Sequence, residues 1–332
     1  MCLKVALCFI LNYDHILIKE DIWRKWIESN KDIINVYFFY KDITKIKSDW
    51  IKEHLIPSKY IIDTSYLYVM PAYIALMRYA LKADNNANEW VIFLTDFCVP
   101  LISPIRFRHL FYQHYYRSII KWRYCWWNVE TNARANLKYL PENFHLANSP
   151  WLTITRKHAE LVLRFINEYP KMALTVFNGI IANESFFAIA LEKYGALKNK
   201  LGVPNQNILC INSHIADWDR MSSATSPHIF AVESNKKDRV FIETNLAENP
   251  FAMFMRKIAP EYPDKVIEHY IYEWNGENDK KIVIKKPIIF NVPIWLYRLI
   301  NHKYVYWLYS KQTFVITMFM ILLVSGSIRY FS

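Results

Sequence analysis

The strongest constraint on the fold is an alternation within the first hundred residues. K-V-A-L-C-F-I-L (4–11), I-N-V-Y-F-F-Y (34–40) and W-V-I-F-L (90–94) are apolar runs of strand length, and each is expected to be buried. A helix from about Lys19 to Ser29 separates the first two. P-A-Y-I-A-L-M-R-Y-A-L-K-A (71–83) precedes the third; it opens with a proline at a helix start and keeps an apolar face. Strand and helix taking turns predict an α/β fold, with a mostly parallel twisted sheet and helices on both faces. With 332 residues, 53% of them hydrophobic and only 5 glycines, the chain can bury a large core and is not a disordered or low-complexity sequence.

Further along, W-L-T-I-T-R-K-H-A-E-L-V-L-R-F-I (151–166) runs from a short strand into an amphipathic helix, and N-E-S-F-F-A-I-A-L-E-K-Y (183–194) begins another. Residues 100–125 are rich in Arg, His, Tyr and Trp. They read either as a helix and loop over a cleft, or as a core helix with its basic side chains in water. The C-terminus differs: T-F-V-I-T-M-F-M-I-L-L-V-S-G-S-I (313–328) carries no charge and, as a helix, would reach about 24 Å. That is slightly short of a bilayer core of about 30 Å, but the segment lacks the polar face of a docked helix. The expected organisation is a body over 1–290, an interfacial aromatic and basic segment over 291–310, and a transmembrane anchor over 311–332. The basic residues upstream of the anchor place the body on the cytosolic side. The N-terminal run contains Lys4 and no small-residue cleavage site, and reads as a buried strand, not a signal peptide.

A net charge of +11, spread along the chain, suits phosphate-bearing ligands, nucleic acid or anionic lipid. No zinc-finger, RNA-recognition or basic-zipper pattern occurs, so no nucleic-acid partner is expected. Cys2, Cys8, Cys98, Cys125 and Cys210 lack C-x-x-C spacing and read as buried thiols. Phosphate-loop, dinucleotide, hydrolase-elbow and zincin motifs are missing, and the histidines form no metal cluster. One metal-like pattern remains, D-W-D (217–219): an Asp-x-Asp can hold a divalent cation against a diphosphate. Trp218, between the acids, is the competing candidate for function.

Four segments, in order, resemble the Core-2/I-branching N-acetylglucosaminyltransferase family, glycosyltransferase family 14, which includes the peptide xylosyltransferases. W-V-I-F-L-T-D-F-C-V-P-L (90–101) is similar to its strand and turn with an acid and Pro-Leu. S-P-W-L-T-I-T-R-K-H-A-E-L-V-L (149–163) is similar to G-S-Q-W-x-x-L-x-R-x-H-A. N-E-S-F-F-A-I-A-L (183–191) matches Asp-Glu before an apolar helix turn. D-W-D-R-M-S-S-A-T-S-P-H-I-F (217–230) followed by F-M-R-K-I (254–258) matches D-W-x, H-P-x-x-F and F-A-R-K-F.

The resemblance implies a GT-A-like variant fold and inverting transfer from a UDP-sugar, with no metal ion or other cofactor, to a glycan or glycoprotein acceptor. Glu184 then falls at the catalytic base. Lys257, with Arg256 beside it, falls at the diphosphate. The family's second phosphate-binding Arg has no clean counterpart, which leaves Arg220, His228 or Arg239 to replace it. The uridine end is expected at Leu11, Asn12 and Asp42, beyond the carboxyl ends of the first two strands. Trp218, Asp96, Lys121 and Arg123 are the candidates for substrate contact. The alternative is a degenerate relative that binds glycan or membrane without turnover, which the missing Arg and the scarcity of Gly would fit.

Overall fold

The computed structural model describes residues 3–223, 225–231 and 236–274. The interfacial segment expected over 291–310, the anchor over 311–332, and Cys2 lie outside them. Among the described residues no helix is long and apolar enough to cross a membrane.

In chain order the first elements are β1 (Lys4–Ile10), α1 (Glu20–Glu28), β2 (Ile34–Phe39), α2 (Asp49–Glu53), α3 (Met70–Lys82), β3 (Asn88–Thr95), β4 (Val99–Pro100) and α4 (Pro104–His114). There follow β5 (Ser118–Ile119), β6 (Trp122–Tyr124), β7 (Leu146–Asn148), β8 (Thr153–Thr155), α5 (Arg156–Glu168), α6 (Pro170–Phe177) and α7 (Phe186–Lys193). The last are β9 (Ile208–Leu209), β10 (His214–Ile215), α8 (Lys236–Glu248), β11 (Phe254–Met255) and α9 (Asp264–Glu268). The central sheet has the order β2-β1-β3-β8-β5-β9. β1 pairs in parallel with β2 and β3, β5 pairs in parallel with β9, and β8 alone runs against its neighbours.

The apolar runs become strands because both faces of the sheet are covered. Along β1, Val5, Leu7 and Phe9 enter one core with Trp23 and Trp26 of α1 and Phe107 and Phe111 of α4. Ala6, Cys8 and Ile10 enter a second core with Tyr73 and Met77 of α3, Val162 of α5 and Phe187 of α7. The side-chain period of 2 thus splits one strand between two cores. Within segment 100–125, α4 packs: Phe107, Leu110 and Phe111 are buried, and Arg108 pairs with Asp32.

The parallel register brings the carboxyl ends of β1, β2 and β3 to one side of the sheet. The small sheet β10-β11-β4 closes that side, because Ile258 N–H donates to the Phe97 carbonyl at 3.0 Å and Leu101 N–H to the Met253 carbonyl at 2.9 Å. The described cysteines are all free; Cys8, Cys98 and Cys125 are buried and Cys210 is half-buried.

Candidate active site

Asp96 follows directly on β3, at the crevice beyond the strand ends, and is 2% exposed. Burial pushes its carboxyl up to about 7, against the pull of its own and the Asn12 backbone N–H groups and of the Arg256 charge. One carboxyl oxygen, Oδ2, has no hydrogen-bond partner. Leu11 is buried, and its N–H donates to the Phe39 carbonyl at 3.2 Å. Asp42 is a cap: its carboxylate accepts from Thr44 N–H at 3.0 Å and Thr44 Oγ1 at 2.6 Å, and these bonds hold its pKa down. The loops after β1 and β2 are joined by His15, which no sequence pattern singled out. Its Nε2 accepts from the N–H groups of Lys41 and Asp42, both at 3.0 Å, and its Nδ1 donates to the Tyr13 carbonyl at 2.9 Å.

Glu184 ends a 3-10 turn, Ala182–Glu184, that leads into α7. Asn148 fixes that junction. Its Nδ2 donates to the Asn183 carbonyl at 2.9 Å, and its Oδ1 accepts from Ala188 N–H at 3.1 Å. The Glu184 side chain is 23% exposed, and Oε2 accepts from Arg134 Nη1 at 2.9 Å. Burial raises the Glu184 pKa, and the charges of Arg134, Arg256 and Arg123 oppose the rise. Arg134 was silent in the sequence, since T-N-A-R-A-N has neither motif nor period.

Arg256 directly follows β11 and its charge acts on the same two carboxyls. It is 7% exposed, lies 4.0 Å from the centre of the Trp151 ring, and its Nε has no partner. Burial lowers its pKa, while Cys98, Tyr73, Asp96 and Glu184 pull the other way. Arg256 is therefore buried within electrostatic reach of both Asp96 and Glu184, with Trp151 of the S-P-W motif as its platform. Lys257 is half-buried, and its Nζ donates to Ser226 Oγ at 3.1 Å. Burial and the neighbouring Arg256 lower its pKa.

The residues offered as replacements for the missing Arg lie elsewhere. Arg220 Nε donates to Asp217 Oδ2 at 2.5 Å, and Nη1 donates to Asp238 Oδ1 at 2.6 Å. His228 Nε2 lies 3.0 Å from that same oxygen of Asp238. Arg239 pairs with Glu243 on the exposed face of α8. Asp217 also accepts the N–H groups of Asp219 and Arg220, so it organises its own loop and its oxygens are already engaged. The arginine bonds hold its pKa below the carboxylate norm despite burial. Among the described residues no group of three or more His, Cys, Asp or Glu could hold a metal ion. Trp218 projects from this loop, 50% exposed. Lys121 and Arg123 are exposed beside and on β6; Arg123 lies 3.7 Å from the centre of the Trp126 ring and within electrostatic reach of Glu184.

The structure thus brings together Glu184, Arg256, Asp96, Asn12, Lys257 and Arg123, and gathers Trp218, Arg220 and His228 on an adjoining loop. The loop is coupled to the first group because Arg256 N–H donates to the Ile215 carbonyl at 3.0 Å. His158, from the R-K-H-A motif, belongs to neither group. It is buried against Ser118, Oγ to Nδ1 2.7 Å, and burial lowers its pKa to about 4.

No curated protein matches the chain. The model of the family described as Core-2/I-branching enzyme matches residues 34–238, a span that holds Asp96, Arg134, Trp151, Glu184 and Trp218 and ends before Arg256 and Lys257. With that match across most of its length, and with the acid after β3, the Trp151 motif and the Glu184 turn all facing one crevice, the chain belongs to the Core-2/I-branching enzyme family, a family of glycosyltransferases.

Proposed function

We propose that this protein transfers a sugar from a UDP-sugar to a hydroxyl of a glycan or protein, with inversion and without a metal ion, on a GT-A-like sheet. The observation that supports this most is Glu184: a carboxylate at a fixed turn, mostly shielded from water, with its pKa raised by burial and its charge kept by arginines. Such a group can accept a proton near neutral pH. The acceptor oxygen forms its bond to the anomeric carbon as the bond from that carbon to the diphosphate oxygen breaks. The hydroxyl proton passes to Glu184, and the negative charge leaves with the UDP.

Lys257 is the group for that leaving charge, since its ammonium is half-buried and held by a neutral hydroxyl, not by a carboxylate. Arg256 acts from behind, through the two carboxyls it faces. The donor base and ribose belong at Leu11, Asn12 and Asp42, where the loops after β1 and β2 are locked together by His15. Asp96, which has a buried, unpartnered oxygen and feels both the Asn12 N–H and the Arg256 charge, is assigned to the donor sugar. Trp218, Lys121 and Arg123 are assigned to the acceptor. A metal at D-W-D is not part of this reading, because Asp217 is spent on Arg220 and on two backbone N–H groups.

A second reading, binding without turnover, is favoured by one observation: Arg220 and His228 are both taken up by Asp238, which leaves Lys257 without a second cation at the diphosphate. A thermal-shift screen of UDP-sugars with and without EDTA tests both. The proposal expects one donor to raise the melting temperature equally in the presence of the chelator, Lys257→Gln to abolish the rise, and transfer to a panel of acceptors. A shift that needs a divalent cation contradicts it, and a shift with no transfer to any acceptor supports the second reading. Attachment of residues 311–332 to a membrane, with the body facing the cytosol, rests on the sequence of 313–328. It is tested by whether the chain resists carbonate extraction.

A further inference from the structure

Two segments far apart in sequence are joined next to the base. Ala135 N–H donates to the Ile180 carbonyl at 2.9 Å, Ile180 N–H donates to the Ala133 carbonyl at 3.2 Å, and Arg134 and Ile180 form a parallel bridge. Gly179 makes this approach possible, because a Cβ there would collide with the backbone of Ala135 and Asn136. Arg134 N–H also donates to Asn132 Oδ1 at 2.9 Å, and its guanidinium lies 5.3 Å from the centre of the Trp127 ring. The segment that carries Arg134 is therefore bonded to the residues immediately before the Ala182–Glu184 turn, so the backbone holds the roots of the Arg134 and Glu184 side chains close together.

We infer that Arg134 is the positioning residue of the catalytic base: it fixes Glu184 through Oε2, leaves Oε1 for the acceptor proton, and keeps the carboxylate charged in a shielded site. This rests on the reading of Glu184 as base. The groups facing Glu184 are Arg134, Arg256, Arg123 and Tyr73. Arg256 is shared with Asp96 and braced on Trp151, and Arg123 lies against the Trp126 ring. Among them Arg134 makes the ion pair at hydrogen-bond distance. Burial pushes the Glu184 pKa up and Arg134 opposes it, so removing Arg134 raises the pKa further. The base form is populated above the pKa, and the acid limb of the activity profile must then move to higher pH.

The experiment uses the full chain in native, Arg134→Lys, Arg134→Gln and Glu184→Gln forms, with kcat measured against pH. In parallel, the Glu184 carboxyl is titrated by carbon-13 NMR of glutamate-labelled protein, assigned through Glu184→Gln. The expected result for Arg134→Gln is an acid limb and a Glu184 midpoint that rise together by about one pH unit or more. Its kcat at neutral pH falls about tenfold while donor affinity is unchanged. Arg134→Lys should fall between. A limb and midpoint that stay at the native position in Arg134→Gln overturn the inference. If the midpoint moves but Glu184→Gln is as active as the native protein, the base reading itself has failed, and the ion pair is structural.

Discussion

Asp217 illustrates how a residue's neighbours decide between two readings of one motif. As half of an Asp-x-Asp it resembles a metal ligand; in place it bonds to Arg220 and caps the N–H groups of Asp219 and Arg220. Asp217→Ala is expected to cost about 1.5–3 kcal/mol, the range for bonds to a charged partner, and to do so equally with and without chelator. Asp219→Ala, at an exposed carboxylate, should be close to neutral. Urea unfolding of both variants checks this; equal effects of the two, or a loss for Asp217→Ala that appears only when divalent cations are present, would restore the metal site. Glu184, Lys257, Asp96 and Trp218 could be named as candidates because short motifs carried them. Arg134, Asn148 and His15 were not, because each acts through a partner between 26 and 50 positions away, and no local pattern records such a contact. Arg220 and His228 were offered to the phosphate for the same reason: the acid that takes both, Asp238, lies on a different element, α8.

At the scale of elements, the site is made by two junctions. The turn before α7 is clamped by Asn148 at the end of β7, and the 133–136 segment is pressed onto Gly179 just beyond α6. Asn148→Ala removes a buried donor and acceptor at once and should cost about 1–3 kcal/mol. Gly179→Ala has to push two backbones apart and should cost about 1–3 kcal/mol. Both should lower kcat, since both move Glu184 or its arginine, while donor affinity measured by calorimetry stays near native. A variant that folds with native stability and full activity would show that these junctions do not position the base. The long elements were legible: β1, β2, β3, α3 and the β8–α5 step fall within a few residues of the apolar periods, because burial on one or both faces writes a period into the sequence. The two- and three-residue strands β4 to β7 and β9 to β11 left no period, being too short to repeat one; β8, equally short, was legible only through the amphipathic α5 that follows it.

The whole molecule places a carboxyl and two imidazoles where water cannot solvate their charge, and this gives its stability a pH signature. His158 and His214 are lowered by burial to about 4 and about 3, so each loses its contribution to stability as pH falls below the unfolded value of about 6.5. Asp96 runs the other way. Its folded pKa is raised to about 7, so the folded chain keeps a proton that the unfolded chain releases above about pH 4, and stability is lost as pH rises between the two. Asp96→Asn mimics the protonated form. It should therefore gain on the native protein as pH rises from 4.5 to 8, by on the order of 3 kcal/mol, in urea unfolding at the two pH values. A constant difference between the two proteins would mean that Asp96 is charged at both. The alternation of strand and helix made the two-faced sheet legible from the sequence. The F-M-R-K-I motif marked Arg256 and Lys257, but not that Arg256 would be buried within reach of both Asp96 and Glu184, because that depends on how β11 pairs with the distant β4 and β10. The most direct test of Glu184 as base is transfer from a UDP-sugar, compared between native protein and Glu184→Gln. With Glu184 taking the acceptor proton, Glu184→Gln loses about a hundredfold or more in kcat with donor affinity intact; a Glu184→Gln protein that transfers at the native rate rules that role out.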